Sequence, residues 1–353
     1  MSGSGDSGNY LWLSQSVDHL VRSPILFLVF NRPDTTLQVF EAIRAAKPPR
    51  LYVAADGPRQ DRDGETERCA DARRIATNVD WPCEVKTLFQ ERNLGCKLGP
   101  VSGISWFFRH EEEGVILEDD ILPLPSFFDY CDELLERYRD DERVGLISGS
   151  NLISRRFTPR DSYFFSRYMH VWGWASWRRA WEHYDVDVRA WPTWRDGGGL
   201  RKISDGNRLF ESYWRDVFDR AFRGEADWWS YQWLFACWVH GMLAALPAHS
   251  QTQNLGFGPD STHTRGSAPV YVRESISQAP LFPLQHPSRV APTPGVDRMI
   301  GRDVHGLTLK GSIGGYFNAI KRFVRSIPYL GDLLKRLQVR LIDAKHYLLR
   351  GRP

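Results

Sequence analysis

The stretch Gly114–Pro123, GVILEDDILP, decides how the rest of the chain is read. Val115, Ile116 and Leu117 make a short aliphatic run of the kind that is buried on both faces of a parallel sheet. Three carboxylates follow at once, Glu118, Asp119 and Asp120. Adjacent like charges repel, so they either face water as a solvated loop, the ordinary fate of a charge run, or share a cation. The second reading puts a metal and phosphate site at the carboxyl end of a sheet, where open α/β folds bind ligands.

Working outward, residues 24 to 150 alternate in the manner of a βαβ protein. PILFLVF, RLYVAADG, CEVKTLF, GVILEDD and RVGLISGS read as strands, and helical patterns such as Thr35–Ala46 and Val101–His110 lie between most of them. Parallel strands joined by helices imply a doubly wound sheet. Two strands end in polar residues, FNRPD and AADGPR, so Asn31, Arg32, Asp56 and Gly57 are expected at the same sheet edge as the triplet. An arginine there suits bidentate recognition of a diphosphate, and Asp120, the last acid, is best placed to reach a divalent metal whose other positions go to phosphate and water. After the triplet, LPLPSFFDYCDELLERYRDD reads as a turn and an amphipathic helix with Phe127, Phe128, Leu134 and Leu135 inward.

The chain has 353 residues, with 13% aromatic against 25% charged, so apolar burial can offset the entropy of ordering and disorder is not expected. Eleven of the 14 tryptophans lie between Trp172 and Trp238. The five cysteines are odd in number and form no close metal-ligand pair, which points to reduced thiols in a cytoplasmic protein. No secretory leader is expected at the start, and the longest clean apolar run, Ile25–Phe30, is far short of the roughly 18 residues of a membrane span. The net charge of +3 is uneven: from Lys310 onward ten Lys or Arg stand against Asp332 and Asp343. The expected organisation is an extension (1–23), an α/β domain (24–275) in two parts, a βαβ part (24–150) and a Trp-rich part (151–275), then a Pro-rich linker (276–309) and a basic amphipathic helical tail (310–353).

Two downstream residues join the candidates. His263, in the polar stretch DSTHT, is a possible second metal ligand beside its ordinary reading as a structural histidine. Asp227, next to Trp228 and Trp229, reads as a helix cap or as an acid whose pKa desolvation raises toward a general base. No GxxxxGK[ST] loop and no GxGxxG after the first strand are present, so phosphate-loop hydrolysis and dinucleotide binding lose their usual support.

Taken together and in order, VFNRPDTT, AADGPR, RNLGCKLG, VILEDDILPLPSFFDYC, HVWGWASW, YQWLFACWVHG and NLGFGPDSTHT resemble the GT-A glycosyltransferases, and in particular bacterial nucleotide-diphospho-sugar transferases akin to the N-acetylglucosaminyltransferase I family. The resemblance spans about residues 24 to 265. It implies a Rossmann-like, mostly parallel sheet flanked by helices and an inverting sugar transfer from a nucleotide-diphosphate donor with Mn2+ or Mg2+. By the same resemblance Asp56 sits at the nucleobase, Arg32 near the diphosphate, Asp119 at the ribose or donor sugar and Asp120 on the metal. The donor set it implies is Asn31, Arg32, Asp56, Gly57, Lys97, Glu118 and Asp119; the acceptor set is His170, Trp172, Trp174, Trp229 and Gln232. One departure bears on catalysis: where the family carries an acid directly before YQW, this chain has Ser230. Serine cannot act as a carboxylate base, so either Asp227 takes that role or the base comes from elsewhere.

The expected function is therefore metal-dependent glycosyl transfer, a UDP-sugar being the foremost donor, to a glycan, lipid-linked or other hydroxyl acceptor in surface polysaccharide or glycoconjugate synthesis. A sugar-phosphate nucleotidyltransferase and a non-catalytic carbohydrate-binding protein on the same fold are the alternatives. No nucleic-acid partner is expected. The tail carries apolar residues at helical spacing between basic ones on either side of Pro328, so the expected location is cytoplasmic, with the tail either holding the chain on the inner, anionic face of the cell membrane or packing on the catalytic domain or a partner chain.

Overall fold

The computed structural model describes residues 21–257 and 281–308; His263 and the expected basic tail lie outside the described residues. The first half alternates as the sequence predicts: β1 (Ile25–Val29), α1 (Pro33–Ala46), β2 (Arg50–Ala55), α2 (Glu65–Ala76), β3 (Glu84–Phe89), α3 (Gly95–His110) and β4 (Glu113–Glu118). Then follow β5 (Ile121–Pro123), α4 (Pro125–Arg137), β6 (Val144–Ser148), β7 (Tyr163–Ser166) and β8 (Trp174–Trp177). Helices α5 (Arg178–Trp181), α6 (Trp191–Asp196), α7 (Gly199–Ile203), α8 (Arg208–Phe222) and α9 (Ser230–Val239) precede β9 (Leu243–Pro247) and β10 (Thr252–Asn254).

Eight strands form one sheet in the order β3-β2-β1-β4-β8-β6-β9-β7. β1 lies parallel to β2 and β4, β2 to β3, and β6 to β9, whereas β8 and β7 run against their neighbours. The architecture is thus a mixed α/β fold with a mostly parallel central sheet. Every residue of β1 is buried, because helices cover both faces. Leu26 and Leu28 enter one core with Ile104 and Phe107 of α3, while Ile25, Phe27 and Val29 enter the other with Val39 and Phe40 of α1 and Phe127 and Leu134 of α4. That split follows from the two-residue period of a strand.

The first core continues into the Trp-rich half. Trp174, Trp181, Trp229 and Trp233 pack against one another with ring centroids 5.1 to 6.3 Å apart. The segment expected as a Pro-rich linker is, over 281–308, laid on the domain: Leu281, Leu284 and Val290 pack on the second core, and the helix Val296–Asp303 buries Val296 and Ile300 in the first. Its Asp297 accepts hydrogen bonds from Ser166 Oγ (2.7 Å) and Arg167 N (3.1 Å) and pairs with Arg167 Nη1 (2.8 Å).

Strand order also fixes where a ligand can enter. The chain steps from β1 outward through β2 to β3, then returns to place β4 on the other side of β1, so the connections leaving β1 and β4 diverge at their carboxyl ends. That divergence opens a crevice between them.

Candidate functional site

A cavity of about 420 Å³ occupies this crevice, within the size range of small-ligand sites. Leu28 of β1, Ala54 of β2 and Leu88 of β3 form an apolar inner wall, closed by Gly99, Pro100 and Gly103 of α3. At the other end the wall is charged. Leu28 pairs with Glu118 across β1 and β4, so the next residues of the two strands bring Phe30 and Arg32 against Asp119 and Asp120.

The contacts there are short. Arg32 Nη2 meets Asp119 Oδ1 at 2.8 Å and Arg32 Nη1 meets Asp120 Oδ2 at 2.6 Å, while the Phe30 amide donates to Asp119 Oδ2 at 3.0 Å. Asp119 and Asp120 are buried, so a single guanidinium faces three acids in a site poor in water. Burial, with Asp120 and Asp119 beside it, pushes the Glu118 carboxyl well above the usual carboxylate range. Burial likewise raises Asp119, against the opposing pull of Arg32. The cluster therefore holds more negative charge than Arg32 neutralises, and it must take up protons or bind another cation.

A strap crosses the mouth. β10 pairs antiparallel with β5, and beyond it Leu255 N donates to the Asp120 carbonyl at 2.7 Å. A Cβ at Gly256 would lie 2.1 Å from Asp120 Oδ2, so only glycine permits the strap to approach the carboxylate this closely. Does the donor set suit the implied metal? Among the described residues no group of three His, Cys, Asp or Glu is arranged to hold one, so there is no self-sufficient protein cage. Asp120 lines the cavity as a hard oxygen donor amid excess negative charge, which fits a Mg2+- or Mn2+-like ion that takes its remaining ligands from phosphate and water.

The structure brings Arg32, Asp56, Glu118, Asp119, Asp120, Trp172 and Asp227 to this one cavity. Asp56 is more committed than the sequence indicates. Its Oδ1 accepts from Gly57 N (2.8 Å) and Leu94 N (2.8 Å), and its Oδ2 from Gly95 N (3.0 Å) and Asn93 Nδ2 (3.0 Å). Asp56 thus tethers the first amides of α3, which is why the helix begins at Gly95 and runs through Pro100 instead of starting at Val101 as the sequence pattern predicts. Gly57 lies outside the cavity wall and serves close packing: a Cβ there would come within 2.4 Å of the Arg92 backbone. Asn31 also faces away, donating to the buried Glu65 at 2.7 Å. Hydrogen bonds from Arg59 hold that glutamate at a pKa of about 2. Lys97, partly buried on α3, is not among the lining residues.

Asp227 stands at the mouth and is exposed, so the tryptophans beside it do not enclose it as the sequence suggests. Its backbone carbonyl and Oδ2 accept from Cys96 Sγ at 3.0 and 3.1 Å. Of the expected acceptor residues, Trp172 alone lines the cavity. His170, Trp174, Trp229 and Gln232 are buried: Trp174 on β8 stacks on Trp229 at the start of α9 within the aromatic core, and His170 and Gln232 are enclosed beside it. Arg59, Gln90, Asn93, Cys96, Asn254 and Gly256 line the cavity without having been singled out by sequence. The signal available for four of them was the Asn- and Gly-rich spacing of RNLGCKLG and NLGFG.

The buried His170 has a stability consequence. Burial pulls its pKa down to about 4, against an unfolded value near 6.5. Between those values the unfolded chain binds a proton that the folded one refuses, so this contribution to stability is complete above pH 6.5 and is lost as pH falls toward 4. In urea unfolding, His170→Asn should therefore lose about 2 kcal/mol less than the wild type on going from pH 7 to pH 5. Parallel losses in the two proteins would show that His170 is not held neutral.

No protein-family model and no curated protein matches the chain. Among solved structures it is similar to UDP-glucose pyrophosphorylase complexed with UDP-glucose, at 12% identity and a TM-score of 0.24. The match covers 41% of this chain and 62% of that one, less than two thirds of its length. So slight a likeness says nothing about function. No helix among the described residues is long and apolar enough to cross a membrane.

Proposed function

We propose that the chain is a glycosyltransferase that uses a nucleotide-diphosphate sugar and a divalent cation, and that the β1/β4 cavity holds the donor. The observation that carries this reading is the pairing of an apolar, glycine-walled slot with a carboxylate cluster that one arginine cannot neutralise, in a single cavity at the point where the sheet's connections diverge. A flat base suits the slot, and a diphosphate needs positive charge at the other end. A divalent ion on Asp120 would supply the further charge that stabilises the leaving diphosphate. Arg32 would then contact a diphosphate oxygen through one arm of its guanidinium while keeping Asp119 ordered through the other.

Asp119, held by the Phe30 amide and Arg32, would accept from a sugar or ribose hydroxyl. Trp172, at the rim with Phe257 edge-on at 6.0 Å, offers an apolar surface to a sugar ring. Asp227 would accept the proton of the attacking acceptor hydroxyl, since it is the exposed one of the carboxylates that line the cavity and so is open to an arriving acceptor.

The rival sugar-phosphate nucleotidyltransferase breaks a different bond, so product analysis separates the two. Incubation with a panel of sugar nucleotides and MnCl2 should release nucleoside diphosphate; release of a sugar phosphate on adding pyrophosphate would favour the rival. With the donor that turns over, Asp227→Asn should lower turnover by about 10² to 10⁴ and leave donor affinity nearly unchanged, as expected of a group that acts on the acceptor proton. Near-normal turnover would move the base elsewhere.

A further inference from the structure

We infer that Asn93 reads the ring N–H of the donor base, so that the cavity prefers uracil- and guanine-type nucleotides to cytosine and adenine ones; this deepens, and rests on, the nucleotide reading above. The inference starts from Asp56. A carboxylate offers about four acceptor positions, and Asp56 has filled four with Gly57 N, Leu94 N, Gly95 N and Asn93 Nδ2. It has little left for a base, although it stands at the slot.

Asn93, bonded to Asp56, lines the same cavity. Its amide nitrogen donates twice, to Asp56 Oδ2 at 3.0 Å and to the Gly57 carbonyl at 2.9 Å. Both partners are acceptors, so turning the amide over would set its oxygen against two oxygens. The orientation is therefore fixed by chemistry. Asn93 Oδ1 makes no hydrogen bond among the described residues and is an acceptor left for a ligand.

The slot beside it is narrow and apolar. A Cβ on Gly99 would stand 3.1 Å from Asp56 Oδ2, and one on Gly103 would stand 2.7 Å from Leu28 Cδ2 and 2.9 Å from Ala54 Cβ. At those two glycines α3 is packed against Asp56 and the sheet, so a planar ring has its place in the remaining cavity lined by Leu28, Ala54 and Leu88, where Asn93 would read its edge. Uracil N3 and guanine N1 carry a hydrogen where cytosine N3 and adenine N1 carry a lone pair. An amide oxygen accepts from the first two and repels the second two, and in a partly dry site the unpaired acceptor adds a desolvation cost.

The experiment measures binding of UDP, GDP, CDP and ADP to the full chain in MnCl2 by calorimetry. UDP and GDP should bind at least tenfold tighter than CDP and ADP. Asn93→Ser, checked for folding by its thermal midpoint, should bring the four affinities to within about threefold of one another. Leu88→Ala, which removes apolar wall and leaves Asp56 and Asn93 in place, should weaken all four and keep the wild-type preference. Equal binding of the four by the wild type, or an unchanged preference in Asn93→Ser, would overturn the assignment of Asn93. Failure of every nucleoside diphosphate to bind would overturn the nucleotide reading itself, and this inference with it.

Discussion

Replacing Arg32 with methionine should destabilise the folded protein by about 3 kcal/mol at pH 8, because it removes the cationic partner of two buried carboxylates and leaves their charge uncompensated. Methionine keeps much of the aliphatic stem, so lost packing is a small part of the effect. The loss should depend on pH in a particular direction. Glu118 and Asp119 already sit above the usual carboxylate range because burial disfavours their charge, and without Arg32 both rise further. A carboxyl whose folded pKa lies above its unfolded value adds stability while protonated and loses it as pH rises toward the folded pKa. The variant should thus be close to wild type near pH 5 and fall progressively behind it toward pH 8. Urea midpoints at the two pH values give the comparison, and equal stability at pH 8 would mean that Arg32 does not hold the cluster.

The second large effect is on binding. Asp120→Asn should reduce manganese-dependent nucleotide affinity by roughly 100-fold or more, since an amide keeps the shape of the side chain but cannot supply the anionic oxygen that a hard divalent ion requires. Stability should not fall with it. The substitution removes one of three mutually repelling acids, so Glu118 and Asp119 relax toward ordinary values and the ligand-free protein should be as stable as wild type or more so. Loss of binding joined to retained stability is a combination that a merely structural aspartate would not produce. Retained binding with unchanged manganese dependence would remove Asp120 from the metal.

How much of this could be read before the structure depends on which residues are local. Strand β1 and the run Val115–Leu117 announce themselves because burial on both faces demands unbroken apolar residues, and polar residues after a parallel strand must emerge at one edge. Arg32, Asp56 and the acid triplet could therefore be placed together from spacing alone. Partners are different. That Asp56 is saturated by the 93–95 amides follows from where a loop 37 to 39 residues downstream folds back, and no periodicity records it. Pro100 hid the true start of α3, since a proline inside a helix normally ends one. In the other direction, His170, Trp174, Trp229 and Gln232 read as ligand groups because polar and aromatic residues share their motifs, yet all four are buried, Trp174 on a central antiparallel strand. Gln232 is wholly buried with neither side-chain oxygen nor nitrogen bonded among the described residues, an arrangement that sequence patterning gives no reason to expect.

The β1/β4 crevice should hold a nucleotide diphosphate through Arg32 and a cation on Asp120. A crystal structure with UDP or GDP and manganese, with anomalous scattering recorded for the metal, tests it most directly. The predicted result is an anomalous peak coordinated by the Asp120 carboxylate and by diphosphate oxygens, with the base in the glycine-walled slot beside Asn93. A manganese peak away from Asp120, or a nucleotide bound outside the crevice, would contradict it.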